Sequence, residues 1–146
     1  MKKILLSICS LFCLAAIASA KTNPDDVIGL WLNESGQAQI QVYKEGDKYY
    51  GKITWLKVPD DPKRGGPKKD YNNPDPAQRN KPILGSVILR DFKFNDGEWT
   101  GGRVYDPQNG KDYKCYLKIK DPKTMSMRGY IGVSLLGRTE IWTRVK

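Results

Sequence analysis

Residues 38–56 read AQIQVYKEGDKYYGKITWL. Ala38, Ile40 and Val42 alternate with Gln39, Gln41 and Tyr43, the two-residue period of a strand buried on one face. Glu45-Gly46-Asp47 turns the chain, after which Tyr49, Gly51, Ile53 and Trp55 alternate with Tyr50, Lys52, Thr54 and Leu56. Two alternating runs joined by a short polar turn make a β-hairpin.

The same pattern extends outward. Val27–Leu32 is an apolar run upstream. Downstream, Ile83–Phe94 and Glu98–Tyr105 flank Asn95-Asp96-Gly97, and Asp106-Pro107-Gln108-Asn109-Gly110 is a further turn, because glycine tolerates positive φ. In the next strand Tyr113, Cys115, Leu117 and Ile119 share one face, and Lys114, Tyr116, Lys118 and Lys120 share the other. Asp121-Pro122-Lys123 leads into Thr124–Ile131, and Arg138–Val145 completes the set. No stretch after residue 20 sustains the 3.6-residue period of a helix. The pattern predicts an all-β fold, an antiparallel up-and-down eight-stranded barrel, since closure removes exposed strand edges. A two-sheet sandwich is the alternative. Gly51, Gly101, Gly102 and Gly129 lie inside strands and favour the barrel, whose closure needs sharp local bending.

Lys57–Pro82 breaks the rhythm. Six of the nine prolines fall in these 26 residues, with Gly65, Gly66 and many charges. A connection this long is characteristically functional or disordered. Within it Asn73-Pro74-Asp75-Pro76 is turn chemistry, which is expected to fold the loop back over the barrel. The functional alternative makes it a lid whose Asp70, Asn73 and Asp75 face a ligand; the structural reading is preferred.

The first residues read differently again. Lys2 and Lys3 precede an apolar run from Ile4 to Ile17, and Ala18-Ser19-Ala20 supplies a small-x-small cleavage pattern. This is the order of a signal peptide cut after Ala20, and the run is short for a membrane span. Ile8 before Cys9 and Phe12 before Cys13 exclude a lipobox. The expectation is a periplasmic or secreted protein, not an integral membrane protein, with one domain over residues 21–146. Removing Lys2 and Lys3 lowers the net charge from +9 to +7. Cys115 is left without a partner for an internal disulfide, and its strand parity points it inward as a small hydrophobe. A basic exported domain can meet anionic envelope components, while export argues against nucleic acid as a target. A monomer or weak dimer is expected.

Gly29-Leu30-Trp31 near the start and Trp142-Thr143-Arg144 near the end resemble the lipocalin-type, or calycin, arrangement. That resemblance implies that Gly29, Trp31, Trp142 and Arg144 close the barrel, with an arginine packed over an indole. A closer resemblance spans nearly all of the chain after residue 20. It rests on Tyr50-Gly51-Lys52-Ile53, Asp70 with Asn73-Pro74-Asp75-Pro76, and Trp99-Thr100-Gly101-Gly102. It continues through Tyr105-Asp106-Pro107, Arg128-Gly129-Tyr130-Ile131-Gly132 and Gly137-Arg138. The chain is similar in these to the bacterial exported family called domain of unknown function 2147. The resemblance implies a small lipocalin-like barrel and no particular activity.

Histidine is absent, which removes Ser-His-Asp and Cys-His nucleophiles, histidine-bound metals and the usual neutral-pH base. Gly132-Val133-Ser134-Leu135-Leu136-Gly137 has one residue too many for a nucleophile elbow. No cofactor or metal site is expected. Asp60, Asp61, Asp70 and Asp75 could serve a glycosidase or calcium, but are interleaved with Lys63, Arg64, Lys68, Lys69 and Arg79, as in a solvated mixed-charge loop.

Tyr105, Arg128, Tyr130 and Arg138 are the remaining ligand candidates. Arg128 and Tyr130 lie opposite Met125, Met127 and Ile131, while Arg138, Glu140, Trp142 and Arg144 lie opposite Thr139, Ile141 and Val145. Which face lines the barrel decides whether its interior is polar or apolar, and sequence parity leaves that open. Three functional readings follow. The preferred one is a non-enzymatic small-ligand-binding barrel of the cell envelope. The others are a basic protein contacting anionic polymers or a protein partner, and a carboxylate-dependent hydrolase acting on saccharides.

Overall fold

The computed structural model describes residues 20–145; the expected signal peptide, Ala20 apart, lies outside them. Eight antiparallel strands follow in order: β1 Gly29–Leu32, β2 Ala38–Glu45, β3 Lys48–Leu56, β4 Val87–Asn95, β5 Glu98–Asp106, β6 Lys111–Asp121, β7 Thr124–Tyr130 and β8 Arg138–Arg144. Each pairs with its sequence neighbour, and β8 returns to β1, so the sheet is a closed barrel rather than a sandwich.

Alternation puts Ile40, Val42, Tyr49, Ile53, Leu89, Phe92, Trp99, Leu117 and Met125 in one buried core. Bulges break the alternation, and those in β3, β4 and β5 matter most for the core. Tyr49 pairs with Phe92 and Gly51 with Leu89, so β4 carries an extra residue there, with Asp91 at φ 61°. In β5 the extra residue comes at Gly101, φ 71°, a conformation suited to glycine. In β3 the extra residue is Thr54, opposite the Gln39–Ile40 step of β2, and it flips the end of β3. Trp55, which alternation groups with Ile53, therefore turns outward and is 41% exposed, while Leu56 packs against the core. Gly102 has a second role, since a Cβ there would stand 2.4 Å from the Phe92 ring.

One end of the barrel is closed by a 3-10 turn, Pro24–Val27, just ahead of β1. Its backbone is held from inside the barrel. Trp31 Nε1 donates to Val27 O (2.9 Å) and Trp99 Nε1 to Pro24 O (3.0 Å). Arg144 lies 4.2 Å over the Trp31 ring. Its guanidinium donates to Pro122 O, Ile28 O and Asp26 O at 2.9, 2.9 and 2.6 Å. The β1–β8 seam itself has two registered pairs, Trp31 with Arg144 and Leu32 with Thr143. Arg144 thus ties the plug, the β6–β7 turn and the shortest seam together.

Arg144→Lys keeps the charge but cannot reach three carbonyls and stack at once. It should lower unfolding free energy by about 1–3 kcal/mol in urea titration, and Arg144→Ala by at least as much. Asp25 makes the stability depend on pH. The Tyr49 hydroxyl, then the Lys44 ammonium, holds its carboxyl below the ordinary range. A depressed carboxylate contributes fully above its unfolded pKa of about 4, and the contribution is lost as pH falls through the lower folded value. Asp25→Asn should therefore destabilise at neutral pH and flatten the loss of stability on acidification, measured by melting temperature against pH.

Candidate functional site

The opposite end is open. Here the long connection (57–86), the β1–β2 loop, the β5–β6 turn and the facing ends of β7 and β8 surround a cavity of about 560 Å³, within the range of small-molecule sites. Its depth is apolar, formed by Ile40, Ile53, Ile88, Val104, Met127 and Trp142. Its rim is polar, with Lys68, Tyr105, Gln108, Asn109, Arg138 and Glu140.

The two strands that sequence parity left open turn different kinds of face inward. β7 turns Met125 and Met127 into the barrel. Arg128 lies on the outer side, where its guanidinium donates to Ser134 O, Leu135 O and Thr139 Oγ1. Tyr130, of the same parity, meets Tyr116 of β6. β8 turns Arg138, Glu140 and Trp142 inward. Gly129 opposite Arg138 and Met127 opposite Glu140 complete this wall. Trp142 Nε1 donates to Glu140 Oε2 (3.0 Å), and Arg138 Nη2 lies 3.5 Å from Glu140 Oε1. Of the sequence candidates, Tyr105 and Arg138 therefore line the cavity, while Arg128 and Tyr130 do not. Glu140 and Asn109 were not singled out beforehand. Parity carried the signal for Glu140: with Arg144 on the floor, Trp142, Glu140 and Arg138 must follow it inward.

The loop candidates are held by one another. Asp70, 7% exposed, accepts from Tyr105 Oη and Asn73 Nδ2, each at 2.7 Å. Burial first, then this bond to Asp70, pushes the Tyr105 hydroxyl well above its ordinary pKa. Asn73 Oδ1 accepts from Asp75 N, and Asp75 caps Pro76–Gln78 through Ala77 N. Asp61 accepts from Lys63 N and Arg64 N, which hold its carboxyl below the ordinary range. None of Asp60, Asp61, Asp70 and Asp75 lines the cavity. The loop is moored to the β5–β6 turn by Asn72, whose Nδ2 donates to Pro107 O and Gln108 O. Gly110 beneath it is required twice, at φ 72° and because a Cβ would lie 1.9 Å from Asn72 O.

Cys115 is buried beside β7, and burial, with Glu140 adding to it, raises its thiol pKa far out of the nucleophilic range. Among the described residues no group of three or more acidic, Cys or His side chains is placed to hold a metal ion. Also among them, no helix is long and apolar enough to cross a membrane.

A closed up-and-down barrel of eight strands, plugged at one end and hollow at the other, has lipocalin-like architecture. Residues 29–144 match the family described as "Uncharacterized protein conserved in bacteria (DUF2147)", and the chain belongs to it. A solved structure described as "Protein HP1028 from the human pathogen Helicobacter pylori belongs to the lipocalin family" superposes with a TM-score of 0.69. It covers 82% of each chain at 22% identity, a likeness of fold. No curated protein matches the chain.

Gly110→Ala should unseat the long loop while sparing the closed end. Trypsin should cut at Lys68, Lys69 and Arg79 several-fold faster than in the wild type, while the near-ultraviolet dichroism of Trp31 and Trp99 is unchanged. Equal cleavage rates would show that Asn72 does not moor the loop.

Proposed function

We propose that this protein is a non-enzymatic carrier or receptor of the bacterial cell envelope. Its open end takes up a small ligand with an apolar body and an acidic or hydrogen-bonding head. The observation that carries this reading is the cavity itself, apolar in its depth and polar at its rim. An apolar chain or ring fits against Ile40, Ile53, Ile88, Val104 and Met127, and its apolar surface leaves water there. The rim favours an acidic head. Its two carboxylates are engaged, Glu140 by Trp142 Nε1 and Asp106 by Gln108 N. Its cations are freer: Lys68 makes no ion pair among the described residues, and the Arg138 side chain is 79% exposed beside Glu140. The placement of the four loop aspartates outside the cavity speaks against the saccharide hydrolase. The apolar run and cleavage pattern of residues 1–20 support the envelope location, and intact mass of protein recovered from the periplasm or medium, beginning at Lys21, tests it.

Trp142 reports on the cavity directly, since Trp31 and Trp99 lie at the closed end and Trp55 outside. A fluorescent apolar probe, N-phenyl-1-naphthylamine, should bind and quench Trp142. Fatty acids should displace it better than alcohols of equal chain length. Val104→Trp, which fills the cavity, should weaken probe binding by about tenfold or more. Arg138→Gln should erase the preference for acids over alcohols. Binding undiminished in Val104→Trp would place the probe elsewhere and overturn the reading.

A further inference from the structure

The β7–β8 loop, residues 131–137, presents its apolar side chains to solvent. Leu135 is 85% exposed, Leu136 79%, Ile131 64% and Val133 60%. Four large apolar side chains on a seven-residue loop form a contiguous exposed tip, the kind of feature that marks an interaction surface. The loop is also built, not slack. Leu136 N donates to Val133 O and Gly137 N to Ser134 O, closing a 3-10 turn over Ser134–Leu136. Arg128 then donates from outside to Ser134 O (2.9 Å) and Leu135 O (3.3 Å). The carbonyls of Val133, Ser134 and Leu135 therefore all have protein partners. That matters for one environment in particular, because a backbone carbonyl entering hydrocarbon must carry its hydrogen bond with it.

The surroundings are those of a bilayer interface. Below the tip, on the outer face, stand Arg128, Tyr130 and Tyr116, with Lys114 paired to Tyr130 across the ladder. Basic and tyrosine side chains at this level match the head-group zone of an anionic leaflet. The loop rises from the rim of the cavity, since Gly129 and Arg138 on either side of it are rim residues.

We propose that residues 131–137 form a finger that docks the open end of the barrel on an anionic phospholipid bilayer. Ile131, Val133, Leu135 and Leu136 enter the interface, and Arg128 braces the turn and meets lipid phosphate. Docked this way, the cavity mouth faces the membrane surface. The docking surface lies outside the cavity, so it stands or falls separately from ligand binding.

The test uses residues 21–146, which contain all eight strands and the plug, and flotation with vesicles. Wild type should float with phosphatidylglycerol-containing vesicles, less with phosphatidylcholine alone, and less again at high salt. Leu135→Asp with Leu136→Asp changes two solvent-facing positions, so its melting temperature should equal the wild type's while its vesicle affinity falls about tenfold or more. A polarity-sensitive dye on Leu135→Cys should shift to the blue on adding anionic vesicles. N-phenyl-1-naphthylamine binding by the Asp variant should be unchanged. Three results would overturn the proposal: no flotation of the wild type, equal flotation of the Asp variant, or a lipid-free dimer that the same substitutions dissolve, which would assign the tip to a second copy of the chain.

Discussion

The seam between β1 and β8 rests on two registered residue pairs, and a barrel with so short a last ladder needs another tie. Arg144 supplies it. A single guanidinium stacks on Trp31 and donates to carbonyls of the plug, of the segment before β1 and of the β6–β7 turn. These contacts bring the first and last strands together with the Pro24–Val27 plug. Everything at the open end depends on this, because a cavity persists in a small barrel only where the opposite end carries the core.

The hollow half is shaped by exceptions to strand regularity. Bulges in β4 and β5 let Leu89, Phe92, Trp99 and Val104 all face inward although strict alternation would divide them between the faces. The bulge near Ile40 sends Trp55 out and Leu56 in. Small residues at Gly51 and Gly102 admit Leu89 and Phe92. Trp31, Trp99 and Tyr49 are thereby gathered at the plug, and Ile, Val and Met side chains line the space above with Trp142. The long loop finishes the mouth, and its aspartates serve its own folding.

Much of this was legible in residue order. Period-two alternation between turn signals yielded eight strands and closure, with boundaries within about two residues of those observed except at β4, which starts at Val87 rather than Ile83. Asn73-Pro74-Asp75-Pro76 was readable as turn chemistry because those side chains bond their own backbone. The bulges were less legible, since an extra residue in one strand is defined against a partner that local sequence does not name. Trp55 shows the cost: its spacing from Ile53 says inward, and the register with Gln39 says outward.

Residue order by itself determined the all-β class, the parity of the strands without core bulges and the inward turn of Cys115, because period and turn chemistry are local properties of the chain. It did not determine which parity faces inward on β7 and β8. Arg128 and Arg138 both sit on polar-looking faces, yet one braces an outer loop and the other rims a cavity. Tertiary structure decided this through closure: Arg144 must reach Trp31, so its face of β8 turns inward. Cross-strand pairing then puts Gly129, Met127 and Met125 beside it and sends Arg128 outside.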